Sequence, residues 1–253
     1  MKLVITPKPL QGSVTPPPSK SLAHRALIAA FLAGEANPLP DLPESQDILA
    51  TRDCLNALWD GRPMDCRESG STLRFLIPVA LAFRGEGTFT GRGRLMERPQ
   101  TPYFEIFHEK NIFFAQKDHI LTLKGRLPPG QYRLPGNVSS QFITGLLFAL
   151  PLLEGDSEII LTTPLESRGY VDLTLDVLQK HGISIENREY QTFIVPGGQK
   201  FQAAPCTIEA DWSQAAFWYA ANFAGCQLQI EGLNFDSAQG DKPAAALYWP
   251  MAR

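Results

Sequence analysis

The residues best suited to chemistry in this sequence stand where polar segments run into apolar ones. In "PPPSKSLAHRAL", Ser19, Lys20, Ser21 and Arg25 gather two hydroxyls and two cations at the start of a helical pattern. Ser19 or Ser21 can cap the helix, because a hydroxyl accepts from the amides that the first turn leaves unpaired. Those amides and the helix dipole also attract an anion. Ser21 and Arg25 are four apart and share a face.

A second such start is "RESGSTLRF". Gly70 permits close backbone approach, Ser69, Ser71 and Thr72 supply hydroxyls, Arg74 lies one turn on, and Glu68 is a carboxylate beside them. In "GRGRLMERPQTP", Arg92, Arg94 and Arg98 fall within seven residues, and Pro99 and Pro102 stiffen the loop. Arginine grips phosphate or carboxylate with two prongs. "GNVSSQF" offers Ser139, Ser140 and Gln141, and "LESRGYVD" adds Ser167, Arg168 and Tyr170. Each site, taken alone, is equally a capped helix or a solvated basic turn. Their recurrence in one frame is what points to a single pocket for an anionic ligand. His24, His108, His119 and His181 show no ligand spacing, and with four scattered cysteines they give no metal site.

The elements that must position these residues repeat. Four segments begin with small polar residues and continue as apolar helices: "SKSLAHRALIAAFLAG", "SGSTLRFLIPVALAFRG", "SSQFITGLLFALPLLEG" and "DWSQAAFWYAANFAG". More polar helical stretches follow, namely "QDILATRDCLNALW", "YFEIFHEK" and "VDLTLDVLQKHG", and "QGDKPAAALYW" begins the same way. Strand-like runs separate them: Lys2 to Thr6, "GTFTGRGRL", "HILTLKG", "SEIILTTPL", "QTFIVPGG", "CTIEAD" and "CQLQIEG". The first helices are apolar nearly all round, so they are expected inside, with sheets outside. The linkers are expected at 15–18 and near 199–206.

The 253 residues, 44% hydrophobic and 19% charged, allow a large core. A formal net charge of -3 gives no general attraction for nucleic acid, so positive charge for an anion must be local. The cysteines form no CxxC pair, and no run is long enough to span a membrane. A cytoplasmic protein is the expectation.

Together "PSKSLAHRAL", "ESGSTLRFL", "MERP", "VSSQF", "ESRGYVDLT" and "QGD" resemble the 5-enolpyruvylshikimate-3-phosphate synthases (3-phosphoshikimate 1-carboxyvinyltransferases). The resemblance implies an α/β fold of repeated βαβαββ units with buried helices, an inside-out barrel. One domain, 19–208, is then near complete, and 1–18 with 209–253 are fragments of a second. It implies transfer of the enolpyruvyl group of phosphoenolpyruvate to the 5-hydroxyl of shikimate 3-phosphate, with release of phosphate and no cofactor. Lys20 resembles the lysine that meets both substrates at the reacting centre. Ser21 and Arg25 would hold shikimate 3-phosphate. Gly70 and Arg98 would hold phosphoenolpyruvate, with Arg74 in support. Ser139, Ser140 and Gln141 would bind shikimate phosphate and hydroxyl oxygens, Ser167 would reach the phosphate, and Tyr170 would border the ring.

Two departures matter. Only "DGRPMDC" stands where the family has a strand pair before the glycine motif, and Glu68 stands where many relatives have an amide. Past "QGDKPAAAL" the sequence turns to "YWPMAR", where Pro250 should break the helix. This reading makes the chain a C-terminally truncated member that lacks the aspartate and glutamate used for proton transfer. It would hold substrate with little turnover unless a separate chain supplied the other half. The alternatives are a non-catalytic substrate-binding fragment and a UDP-sugar enolpyruvyl transferase, whose first motif lacks the SKS…HRA pattern.

Overall fold

The computed structural model describes residues 8–35, 39, 42 and 45–248. The strand expected over Lys2 to Thr6 and the break at Pro250 lie outside the described residues.

The chain opens with β1 (Gln11–Val14), then α1 (Lys20–Leu32) and α2 (Gln46–Asp60). Two units of the same plan follow. The first is β2 (Met64–Asp65), α3 (Gly70–Phe83), β3 (Glu86–Thr90), α4 (Thr101–Glu109), β4 (Phe113–Lys117) and β5 (Ile120–Lys124). The second is β6 (Gly130–Leu134), α5 (Ser140–Ala149), β7 (Ser157–Leu161), α6 (Arg168–Lys180), β8 (Glu186–Arg188) and β9 (Thr192–Val195). Last come α7 (Trp212–Phe223), β10 (Gln227–Ile230) and the short α8 (Ala244–Tyr248).

Each unit makes a four-stranded mixed sheet, in orders β2-β3-β5-β4 and β6-β7-β9-β8, and β1 pairs with β10 in a third. In both units the first two strands are parallel, as a helical crossover requires, and the rest are antiparallel. The repeated α/β plan read from the sequence is therefore present. The barrel is not seen in the strand pairing: among the described residues each sheet stays open and none closes on itself. "CTIEAD" is not a strand either; it contributes one isolated bridge, Ala210 with Pro18.

Pairing in the second unit runs five residues, from Gly130↔Ser157 to Leu134↔Leu161. In the first it is two, Met64↔Phe89 and Asp65↔Thr90, which is the local result of the short "DGRPMDC" connection. Gly61 caps α2 in the left-handed conformation at φ 72°, and Pro63 stands two residues on, so the chain turns sharply into β2.

The core lies between the sheets. Leu27 and Ile28 of α1, Leu76 and Ile77 of α3, and Leu147 and Phe148 of α5 are all fully buried. Serines cap these helices: Ser19, Ser69 and Ser139 accept from the amides of Leu22, Thr72 and Gln141. Helices α3 and α5 pack closest, and Gly145 permits it. A Cβ there would come within 2.6 Å of the Arg74 carbonyl and 2.9 Å of Pro78. Pro78 lies inside α3 and has no amide proton for that carbonyl, four residues back. Tyr103 replaces it, its hydroxyl donating to Arg74 O at 2.7 Å with Phe142 O at 3.0 Å. A helix defect is thereby repaired from α4, and the starts of α3 and α5 are tied together.

Candidate functional site

The mouths of α3 and α5 meet directly, and the start of α2 stands between them and the mouth of α1. Around Gly70 the geometry is tight. A Cβ on Gly70 would lie 2.9 Å from Nη1 of Arg98, so the guanidinium rests against the bare backbone. Arg74 Nη1 donates to Gln141 Oε1 at 2.8 Å, and Gln141 Nε2 donates to Ser71 Oγ at 2.9 Å. Arg74 also stacks over Phe142 at 4.7 Å. Burial lowers the Arg74 pKa, and the nearby Arg98 lowers it further. The Arg74 Nε is buried with no hydrogen-bond partner among the described residues.

The three arginines of the resemblance share a property. Among the described residues, none of Arg25, Arg74 or Arg98 pairs with a carboxylate. Arg92 and Arg94, from the same loop as Arg98, do: Arg92 pairs with Asp65 at 2.7 Å and Arg94 with Glu97 at 3.0 Å. The loop's cluster of three thus divides, with two cations spent on the surface and one at Gly70. Glu68 lies against Gly93, where a Cβ would meet its carboxylate at 3.1 Å.

Arg25 is 3% exposed. Its Nε donates to Thr174 Oγ1 (2.8 Å), Nη1 to the Ser21 carbonyl (2.7 Å) and Nη2 to the Tyr170 carbonyl (3.0 Å). It also faces the Phe75 ring at 5.2 Å. All its partners are neutral, and burial pulls its pKa down to about 9. Such a cation is costly without a counter-charge, and an anion in contact with it would relieve that cost. Ser21 thus meets Arg25 through its backbone. Tyr170 is 41% exposed, and burial followed by Asp241 and Asp211 raises its pKa. The "QGD" loop comes close because Gly240 abuts Gly169, where a Cβ would approach to 2.6 Å.

Lys20 is exposed and bonded to Asp47 at 2.7 Å. Ser139 caps α5, and Ser140 is buried behind it. Ser167 occupies the cap position of α6, exposed and without a capping bond. The residues thus form two groups, one around Gly70 and one around Arg25, the second reaching α5 through Thr174 and Thr144 (3.0 Å), while Lys20 stands on Asp47. Sequence reasoning missed Asp47, Thr51, Tyr103 and Thr174. Asp47 had a signal, an acid in the first turn of a serine-capped helix. The others are buried hydroxyls whose partners lie on other elements. Among the described residues no group of three His, Cys, Asp or Glu could hold a metal, and no helix is long and apolar enough to cross a membrane.

Comparison with known proteins decides the kinship. The family model described as EPSP synthase (3-phosphoshikimate 1-carboxyvinyltransferase) matches residues 4–62 and 60–251. The chain belongs to the EPSP synthase family. The two matched segments meet at the shortened connection before β2. A 3-phosphoshikimate 1-carboxyvinyltransferase of Clostridium beijerinckii is 42% identical over 269 residues, covering 95% of this chain and 62% of that protein. One from Clostridium kluyveri is 44% identical over 265 residues, covering 96% and 62%. The chain therefore spans 62% of the length of these EPSP synthase relatives. The solved EPSP synthase from Acinetobacter baumannii superposes with a TM-score of 0.70 over 89% of this chain and 56% of that one, at 19% identity, a likeness of fold.

Proposed function

We propose that this chain provides the side of an enolpyruvyl transfer site that holds shikimate 3-phosphate and phosphoenolpyruvate. The reaction joins the 5-hydroxyl of the first to the central carbon of the second, and phosphate then leaves. The observation that carries this reading is the set of arginines without carboxylate partners, with Arg98 against Gly70 and Arg74 on Gln141. Two anions repel each other, and fixed cations offset that repulsion while aligning the reacting groups. Gly70, Arg74 and Arg98 would take phosphoenolpyruvate. Ser21, Arg25, Ser139, Ser140, Gln141, Ser167 and Tyr170 would take shikimate 3-phosphate. Lys20 would serve both substrates once drawn off Asp47.

On the same reading residues 19–208 form one domain, and 1–18 with 209–253 belong to a second. In support, two strands of chain cross side by side: Ser19 N donates to Glu209 O and Asp211 N to Pro17 O, each at 2.8 Å. The inward packing of α1, α3 and α5 supports the inside-out barrel arrangement. Turnover by this chain alone is expected to be slight. Acid–base transfer needs a group within hydrogen-bond reach, and the candidate, Lys20, is already held by Asp47.

Calorimetric titration of the purified chain with shikimate 3-phosphate, phosphoenolpyruvate and UDP-N-acetylglucosamine tests this. Binding of the first two and not the third is expected. Binding of the UDP-sugar alone, or of none, would overturn the reading.

A further inference from the structure

We infer that Thr51 and Thr72, with His24, are positioning residues forming a buried hydroxyl relay that couples the α1 mouth to the α3 mouth. This rests on the proposed function, which puts one anion at each mouth.

The chain of contacts is continuous. His24 Nδ1 lies 2.7 Å from Thr51 Oγ1, Thr51 Oγ1 lies 2.7 Å from Thr72 Oγ1, and Thr72 Oγ1 donates to Ser69 Oγ at 2.7 Å. All four residues are 2% exposed or less, and they come from α1, α2, α3 and the α3 cap. Valine has nearly the shape of threonine, so packing alone asks for no hydroxyl here. A buried polar chain is tolerated only when each member finds a partner.

The direction of the relay follows from the imidazole. A wholly buried His24 stays neutral, with a pKa lowered to about 3 by burial, so it carries one N–H. Its Nε2 has no partner among the described residues. An acceptor is left bare at less cost than a donor, so the proton belongs on Nδ1. Nδ1–H then donates to Thr51, Thr51 to Thr72, and Thr72 to Ser69. Ser69 also accepts from the Thr72 amide, which is the capping bond of α3 one residue before Gly70.

The relay meets Lys20 at Thr51, through α2. Thr51 lies one turn after Asp47 on α2, and the Asp47 carboxylate holds Lys20 at 2.7 Å. An anion at the α1 mouth competes with Asp47 for Lys20. The first turn of α2 is then freed to move, and Thr51 passes that change to Thr72 and the cap beside Gly70. Occupancy of one mouth thereby alters affinity at the other.

The test measures phosphoenolpyruvate affinity with and without saturating shikimate 3-phosphate, using the purified chain. The ratio is the coupling factor. We expect a factor of about five or more in the parent, typical of coupled sites. Thr51→Val should lower it at least about threefold, while shikimate 3-phosphate affinity alone changes less than about twofold. Thr51→Ser, which keeps the hydroxyl, should retain it. An unchanged factor in Thr51→Val overturns the relay, and so does a factor of one in a parent that binds both ligands; in both cases the sites stand. A parent that binds neither ligand overturns the proposed function and the coupling with it. Should Thr51→Val not fold, nitrogen-15 NMR of the His24 ring in the parent and Thr51→Ser decides. Protonated, hydrogen-bonded Nδ1 in both supports the relay, and protonated Nε2 in either overturns it.

Discussion

Helices α5 and α7 are similar in length and apolar content, and they live in different surroundings. Phe142, Ile143, Leu146, Leu147 and Phe148 of α5 are at most 1% exposed, packed against α3 and α6. In α7 only Trp212 and Ala215 are buried, and Phe217 is 70% exposed. The contrast teaches that an apolar helix becomes core only where long neighbouring helices close over it from more than one side, as α3 and α6 do for α5, and not where one short strand and the short α8 meet it. The same closure desolvates a polar mouth and strengthens the charges there. The α5 side holds Arg74 and Gln141 in place through its packing, whereas α7 is tied at its two ends, by the Asp211 cap and the bond from Trp212 Nε1 to Asn234 O at its start and by the paired bonds between Asn222 and Leu228 at its end, with most of its apolar face left uncovered.

The contrast can be broken most directly by truncation. Phe148→Ala should destabilise the fold by about 3–5 kcal/mol, and Phe217→Ala should stay within about 0.5 kcal/mol, both read from urea unfolding. Equal losses would mean that α7 is as well covered as α5. Next in size is Gly145→Ala. Its new methyl meets the Arg74 carbonyl, so a loss of about 1–3 kcal/mol is expected, with weaker phosphoenolpyruvate binding because Arg74 shifts.

Arg98→Ala should lower phosphoenolpyruvate affinity about 10–100-fold, the weight of a charged hydrogen bond, with little change in stability because Arg98 is exposed. Calorimetry and urea unfolding separate the two effects. The pH dependence sharpens the picture from both ends. Arg25 loses its charge as pH rises through about 9, so anion affinity should fall there, earlier than an ordinary arginine would allow. His24 refuses a proton in the fold until about pH 3, while the unfolded chain takes one near 6.5. Stability contributed by neutral His24 is therefore present above 6.5 and is lost as pH falls below it, at roughly 1 kcal/mol per pH unit. Urea unfolding at pH 7 and pH 5 should show a smaller acid loss in His24→Gln than in the parent.

Much of this molecule was legible in its residues. Serine followed by a long apolar run and a closing glycine marked α1, α3 and α5, since capping and burial are local demands on sequence. Gly70, Arg74, Arg98 and Gln141 were each visible as candidates. The division of the arginine loop was not visible: Arg92 and Arg98 look alike in sequence, and only the position of Asp65 separates them. The Lys20–Asp47 pair, separated by 27 residues, was hidden for the same reason.

The sequence by itself determined the repeated units, the polar mouths and the family, because periodicity, caps and ordered motifs are carried by neighbouring residues. Only the tertiary structure decided which arginines keep no carboxylate, that Tyr103 repairs the gap left by Pro78, and that Thr51 joins three helices. Those outcomes depend on contacts between distant segments, whose geometry is fixed by packing and not by spacing along the chain.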